Sequence, residues 1–452
     1  MKKILLILII PFSVFSQNFE YKFFVSFSDK ESSIYNINEP TSFLSKKAID
    51  RRNKHGIEID HLDLPVNRNY IHSIRKKGFK VINSSRWLNG VIISIIDSNV
   101  INQINFPFID SIIFFGKWKE ENRLHKSRSF FRSRSNYVSS LNQVFMIWGD
   151  SLHNKGFYGQ DMTIAVLDAG FYNVDSLECF SNLFEEDRVL GTYDFVEKEE
   201  EVFNDDTHGM SVLSTMAANI NSNIMSTAPL ANYYLLRTED AFSENIIEEY
   251  NWVCAAEFAD SVGVDIINSS LGYTRFDDSN QNYTYKDLDG YTAVSTIGAI
   301  ISARKGMIVV SSAGNEGSGK WKYISAPADA DSILTVGSVD KNRNISSFSS
   351  FGPTYDGRVK PSVCAQGEGV AVISSSGKVI RTNGTSFSSP ILAGLVACLW
   401  QKHYDRTNIE IINAIITSSK LYKSPNDHEG YGLANFYIAD ELLNVMKKIP
   451  AR

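Results

Sequence analysis

Apolar residues fall along this chain in short runs, and the spacing of the runs changes from one region to the next. The first, Ile4 to Ile10, follows Lys2 and Lys3 and precedes Pro11 and the small-residue site Val14-Phe15-Ser16. It is shorter than the roughly 20 residues that span a bilayer. A basic start, a short apolar middle and a small-residue end mark a signal peptide over 1–16, so export to the periplasm, cell envelope or medium is expected. No later run is long enough to span, and no stable membrane insertion is expected once the signal is removed.

Residues 18–116 then alternate strand and helix patterns. Tyr21 to Phe27 reads as a strand. Two helical patterns follow, one through Phe43-Leu44, Ala48-Ile49 and Arg52, the other through Tyr70-Ile71 and Ile74 to a stop at Gly78. Phe79 to Ile82 and Trp87 to Ile96 read as strands, Val100 to Ile104 as a short helix, and Ile109 to Phe115 as a last strand. The order strand, helix, strand, strand, helix, strand predicts a small α+β domain of ferredoxin-like, split βαβ type. Residues 117–136, rich in Lys, Arg and Ser and without an apolar period, read as an exposed linker with a processing site.

From 137 to 452 short apolar runs (Thr163 to Leu167, Tyr233 to Leu236, Ile266-Ile267, Met307 to Val310, Ile333 to Val336) alternate with helical segments such as Glu244 to Val262 and Thr292 to Lys305. That pattern predicts an α/β domain with a mostly parallel sheet flanked by helices.

Charge divides the chain in the same place. Residues 1–134 hold 22 Lys and Arg against 12 Asp and Glu, and the remainder holds 23 against 39. The two parts are expected to attract one another. A basic stretch also suits nucleic acid, but an exported protein seldom meets it, and no nucleic-acid partner is expected. The four cysteines, Cys179, Cys254, Cys364 and Cys398, are far apart and lack the close pairing of a zinc site. Cys254 and Cys398 lie in apolar helical surroundings, which favours free, buried thiols.

Four segments carry candidate chemistry, each at the end of an apolar run. Asp168 closes Ile164-Ala165-Val166-Leu167, where parallel sheets place their sites; it also suits a turn cap. His208 opens a helical pattern beside Gly209 and could serve as a base, although a lone histidine is more often structural. Ser386, in Asn383-Gly384-Thr385-Ser386-Phe387-Ser388-Ser389-Pro390, opens another helix, where free N–H groups surround it; an N-cap serine would look the same. Asn315, in Ser311-Ser312-Ala313-Gly314-Asn315, could donate to an oxyanion or merely turn the chain. Together they supply the nucleophile, base, orienting acid and oxyanion donor that acyl transfer needs. The order Asp, His, Ser is one of the few known for such triads.

These residues resemble the subtilisin family of serine peptidases. The segments that carry the resemblance are Val166-Leu167-Asp168-Ala169-Gly170, His208-Gly209, Ser270-Leu271-Gly272, Ala313-Gly314-Asn315 and Gly384-Thr385-Ser386 to Pro390, within about 137–440. The N-terminal region is similar to the inhibitory propeptide of that family, and Phe43-Leu44-Ser45 to Arg51-Arg52 with Asp63-Leu64-Pro65-Val66-Asn67 resembles secreted subtilases of Bacteroidetes-type bacteria. The resemblance implies an endopeptidase made as a self-inhibited precursor. Asp168, His208 and Ser386 would form the triad, and Asn315 would serve the oxyanion hole. Ser270, Leu271, Gly272, Ser312, Ala313 and Gly314 would line the substrate pocket. It implies protein or peptide substrates, the chain's own propeptide as partner, and a monomer. Two residues depart from the pattern: Met210 stands where the family usually has threonine, and Phe387 where methionine is common. Both positions are expected on the pocket wall. No cofactor is needed for the chemistry; structural calcium is a feature of relatives, and Asp287-Leu288-Asp289-Gly290 offers part of an oxygen-rich loop or an ordinary acidic turn. A catalytically dead binding module would lack one of these groups. An esterase of the α/β-hydrolase type would need a G-x-S-x-G elbow and the order Ser, acid, His. Neither fits.

Overall fold

Two sheets of opposite design carry the described part of the chain, which in the computed structural model comprises residues 19–119, 140–219 and 224–445. The predicted signal peptide and most of the predicted linker lie outside these residues.

The first sheet contains β1 (Phe19–Phe27), β2 (Lys80–Ser85), β3 (Gly90–Ile95) and β4 (Ile109–Lys119) in the order β2-β3-β1-β4. Every neighbouring pair is antiparallel. β3 therefore separates the parallel strands β1 and β2, and β1 separates β3 and β4, which is the split βαβ arrangement the sequence predicts. A half-solvated antiparallel strand should alternate apolar and polar residues, yet β1 carries Phe23-Phe24-Val25 in a row. Both faces of the sheet are covered. Phe23, Val25 and Phe27 pack with Ile74 of the Arg68–Lys76 helix, while Phe24, Ile92 and Phe115 pack with Ile247 and Tyr250 of the later domain. β4 also runs four residues beyond its predicted end at Phe115 and so past the predicted domain boundary at 116. Lys117 and Trp118 pair with Tyr21 and Glu20, and the Lys22 ammonium lies 4.6 Å from the centre of a Trp118 ring.

The Lys46–His55 helix starts at Ser45, whose side chain accepts from the Ala48 N–H, and stops at Gly56 in the left-handed region. It buries Arg51 and Arg52 rather than an apolar stripe. Both reach across to the Ile247–Val262 helix. Asp260 there binds Arg51 at 2.5 Å, Arg52 at 2.8 Å and Arg86 at 2.5 Å. Glu257, one turn earlier, accepts from the Ser85 hydroxyl and from the backbone N–H groups of Arg86 and Trp87. Lys47 reaches Asp265 at 2.8 Å, and in the reverse sense Lys305 reaches Asp60 and Asp63, each at 2.8 Å. Burial raises the Asp260 carboxyl, but Arg51, Arg86 and Arg52 outweigh it and hold the group below its ordinary value. The attraction between basic and acidic halves is thus concentrated in one buried seam.

The second sheet is wholly parallel and has seven strands: β5 (Thr163–Asp168), β6 (Val189–Asp194), β7 (Asn232–Arg237), β8 (Ile266–Ser269), β9 (Ile308–Ser312), β10 (Leu334–Val339) and β11 (Val363–Gln366). Their order is β11-β10-β9-β8-β5-β7-β6. Separate apolar clusters cover its two faces, one around the His208–Ala217 and Thr385–Lys402 helices, the other around the Ile247–Val262 and Val294–Arg304 helices. β5 and β8 to β11 are buried along their whole length, as burial on both faces requires. β6 and β11 have no counterpart in the sequence reading. β6 is an edge strand of mixed polarity, and β11 has only four residues. The hairpin of β12 (Val370–Ile373) and β13 (Val379–Thr382) is likewise hidden among Gly and Ser. All four cysteines are free and buried, as expected, and Cys398 donates to the Thr227 carbonyl. Among the described residues no helix is long and apolar enough to cross a membrane.

Candidate active site

Strand order alone brings the candidates together. The chain turns from one half of the sheet to the other between β5 and β8, and at such a switch the carboxyl ends of neighbouring strands open a crevice. Asp168 ends β5, Ser270 follows β8, and Ala313 to Asn315 follow β9.

Asp168 is 0% exposed. Its Oδ1 accepts from the Ala169 N–H at 2.8 Å and pairs with His208 Nδ1 at 2.7 Å; its Oδ2 is buried without a partner among the described residues. That contact fixes the imidazole tautomer, with Nδ1 carrying hydrogen and Nε2 free to accept. His208 opens its helix with its backbone N–H bonded to Asp206 Oδ1 at 2.8 Å. Gly209 lets that helix reach β5, because a Cβ there would lie 2.4 Å from the Gly170 carbonyl and 2.9 Å from Asp168 Cβ. Burial disfavours the charged imidazole. The Asp168 charge and hydrogen bond, with Asp206 behind, more than offset this and leave His208 above its ordinary value. Its side chain is 34% exposed, so it faces the crevice.

Ser386 is the second residue of the Thr385–Lys402 helix and is 8% exposed. Phe387, next in the chain, has its ring 6.0 Å from that of His208. Pro390 stands four residues on and has no N–H to give the Ser386 carbonyl. Ser270 replaces it: its hydroxyl donates to Ser386 O at 2.8 Å, and Ser386 Oγ donates back to Ser270 O at 3.3 Å. A helix defect thereby becomes a two-way tie between the Ser386 turn and the end of β8. Ser270 Oγ itself accepts from Asn268 Nδ2 at 3.1 Å.

Asn315 is exposed on the loop after β9. The Thr385 N–H and hydroxyl both donate to its Oδ1, at 2.8 and 3.0 Å. An N–H can only donate, so the amide orientation is settled and Nδ2 faces away from Thr385 as a donor. Thr385 Oγ1 also accepts from the Gly314 N–H at 3.2 Å. The sequence reading did not single out Thr385; its place directly before Ser386 was the available signal.

The pocket candidates occupy two facing segments. Ser270 and the half-buried Leu271 lead to exposed Gly272; buried Ser312 and Ala313 lead to Gly314. Ser312 Oγ bridges them by donating to Leu271 O at 3.3 Å. The structure therefore pairs Asp168 with His208 and separately ties Ser386, Asn315 and the two pocket segments together, the two sets meeting where the Phe387 ring lies 6.0 Å from that of His208. Met210 is not on the pocket wall as expected: it is 0% exposed in the core, turned inward by its helix. In the acidic loop Asp287 Oδ2 accepts from the Thr284 N–H and hydroxyl, while Asp289 accepts from Tyr291, Thr292 and the Thr292 hydroxyl. Both carboxylates cap turns. Among the described residues no three His, Cys, Asp or Glu converge on a metal position.

Comparison with known proteins gives the same picture. A family model described as the subtilase family matches residues 159–432. A second, described as the peptidase S8 propeptide domain of Bacteroidota, matches residues 22–129. Subtilisin NAT of Bacillus subtilis subsp. natto is 30% identical over 66% of this chain and 70% of its own length. Subtilisin of Bacillus pumilus is 30% identical over 66% of this chain and 97% of its own. Among solved structures, the prenylagaramide maturation protease PagA matches with a TM-score of 0.51 at 21% identity, over 65% of this chain and 98% of that one, a likeness of fold alone. With its parallel sheet, its propeptide domain and these relatives, the chain belongs to the subtilase family of serine peptidases.

Proposed function

We propose that this chain is an exported serine endopeptidase, made as a self-inhibited precursor, in which Asp168, His208 and Ser386 act on peptide bonds. The observation that carries the reading is the 2.7 Å contact of buried Asp168 with His208 Nδ1, which leaves Nε2 as a base facing the crevice beside the Ser386 helix.

In the proposed reaction an extended peptide pairs with Ser270-Leu271-Gly272 as an added strand. Ser386 Oγ turns from Ser270 O, gives its proton to His208 Nε2 and attacks the carbonyl carbon. The Asn315 Nδ2–H and the Ser386 backbone N–H receive the oxyanion. Asp168 stabilises the imidazolium and keeps the ring in place. His208 passes the proton to the amine, which leaves with the cleaved bond. Water, deprotonated by the same imidazole, then releases the acyl group and frees Ser386. Every proton and charge is handled by these groups, so the reaction needs no cofactor.

Residues 1–16 direct export in this reading, and residues 18–116 dock on the catalytic domain until the basic segment after them is cut. A fluorophosphonate probe should label the processed protein at Ser386, and casein should be cleaved. Ser386→Ala should lose the label and persist as an uncleaved precursor when purified alone. Normal self-processing of that variant would overturn the proposal.

A further inference from the structure

We infer that the cleft beside His55, between the propeptide domain and the catalytic domain, binds a small zwitterion with an apolar side chain, a free amino acid or dipeptide, and that this ligand holds the precursor closed. The cleft has a volume of about 330 Å³, within the roughly 300–1,000 Å³ of small-molecule sites. Both domains build it. His55 and Ile57, at and just beyond the end of the Lys46–His55 helix, form one wall; Ile300, Arg304, Asp331 and Ile409 of the catalytic domain line the rest. The propeptide wall is closely seated. A Cβ on Gly306 would lie 2.9 Å from both His55 Nδ1 and Ile57 Cδ1, and Arg51 Nε donates to Lys305 O at 3.1 Å. The cleft therefore has all its walls only while the two domains are docked.

The charges select the ligand. Arg304 and Asp331 are both exposed on this cleft, and neither has an ion-pair partner among the described residues. Opposite charges that line one cleft without pairing are complementary to a molecule that carries both. Its carboxylate belongs at Arg304 and its ammonium at Asp331. Asn408 and Ile409 open the Asn408–Thr417 helix on the same cleft, and the first N–H groups of a helix lack intrahelical acceptors and favour an anion. Ile57, Ile300 and Ile409 give apolar surface to a side chain. Both ring nitrogens of His55 are buried without a partner among the described residues, so the wall keeps hydrogen-bonding capacity that the fold leaves unused. An inorganic ion would answer one charge and none of the isoleucines. Hydrolysis of peptide bonds releases amino acids and short peptides, so the origin of the ligand, though not the site, rests on the peptidase reading above. A ligand that binds only the docked form strengthens docking by linkage, and products would then restrain further activation.

The test is titration calorimetry on the full-length precursor, kept uncleaved by Ser386→Ala, with L-leucine and L-leucyl-L-leucine as probes. At least one of them should bind at a single site per chain. Its N-acetylated and its C-amidated forms, each lacking one charge, should bind at least about tenfold more weakly. Arg304→Gln should abolish the penalty for amidation and keep that for acetylation, and Asp331→Asn should do the reverse. A merely structural role for these exposed residues would not exchange the two preferences. Processed wild-type enzyme should not bind the probe. The probe at about a hundred times its Kd should tighten inhibition of that enzyme by added propeptide about 100-fold. No saturable binding to the precursor by either probe, affinity indifferent to both charges, penalties unchanged in both variants, or equal binding by processed enzyme overturns the site. Fluorophosphonate labelling of the wild type reports the peptidase reading separately: zwitterion binding without labelling leaves the site standing and overturns only the product origin of its ligand.

Discussion

The crevice around Ser386 and the seam between the two domains are built from opposite materials. The crevice holds the ion pair of Asp168 with His208, with the Asp206 carboxylate behind it, and on the Ser386 side neutral groups: the hydroxyls of Ser270, Ser312 and Thr385 and the amides of Asn268 and Asn315. The seam gathers Arg51, Arg52, Arg86 and Lys305 against Asp63, Glu257 and Asp260, nearly all buried. Neutral donors hold a geometry without fixing a charge, which suits a site where charge appears only during reaction. Buried ion pairs add little net stability against apolar packing, but removing one partner strands the other. They suit a joint that must dock in a single register and be undone once. The seam helix carries that chemistry at its carboxyl end, so the proposed inhibition and the proposed catalysis should be separable by mutation.

The sharpest test of that contrast is Asp168→Asn. The buried charge paired with the imidazole disappears, and kcat should fall about 10⁴-fold, the scale known for this change in an unrelated triad. The acid limb should move as well. His208 must be neutral to act as base, and its folded value is raised, so activity should rise with pH through a value above 6.5. Without Asp168 that limb should shift to lower pH in a kcat/KM profile.

Asp260→Ala takes their carboxylate partner from Arg51 and Arg86 and leaves Arg52 with Asp63 alone, a change of about 3–5 kcal/mol. The separately added propeptide should then inhibit the processed enzyme about 10²–10³-fold more weakly, while kcat on a short peptide is unchanged. A loss of kcat instead would break the proposed separation of seam and crevice. Asn315→Ala removes one neutral donor. It should lower kcat by about 10²–10³ with KM nearly constant, the effect seen for such an amide in a family relative. A change in KM alone would make Asn315 a binding residue.

The mildest perturbation is acid. His55 lies in the seam, its ring 5.9 Å from that of Trp400 and both nitrogens buried without partners among the described residues. Burial, with Lys54 and Arg51 nearby, pushes it down to about 4 from 6.5. The docked state thus binds fewer protons here than the undocked one. Docking should be intact above 6.5 and weaken as pH falls toward about 4. Inhibition by added propeptide across that range would show it, and His55→Phe should flatten the slope.

Much of the crevice was legible in the sequence because its groups are announced locally. Asp168 closes an apolar run, His208 and Ser386 each precede a helical period, and the glycine of Ala313-Gly314-Asn315 marks a turn. The split βαβ domain was legible for the same reason: each element has its own period. The seam was not, beyond a bulk charge difference, because an amphipathic reading takes Arg51 and Arg52 for solvent-facing residues. The Phe23-Phe24-Val25 run was the overlooked sign that a second covered face existed.

By itself, then, the sequence determined the order of most elements, the two domain types and the candidates for the reacting groups, since period and end signals act over a few residues. Tertiary structure alone decided the rest. Thr385 orients Asn315 from 70 residues away, Ser270 supplies the bond that Pro390 cannot, from 116 away, and Arg51 reaches Asp260 across 209. Contacts at such separations leave no periodic trace in the chain. They exist only once the parallel sheet has set the ends of β5, β8 and β9 side by side and the basic domain has closed over the acidic helix.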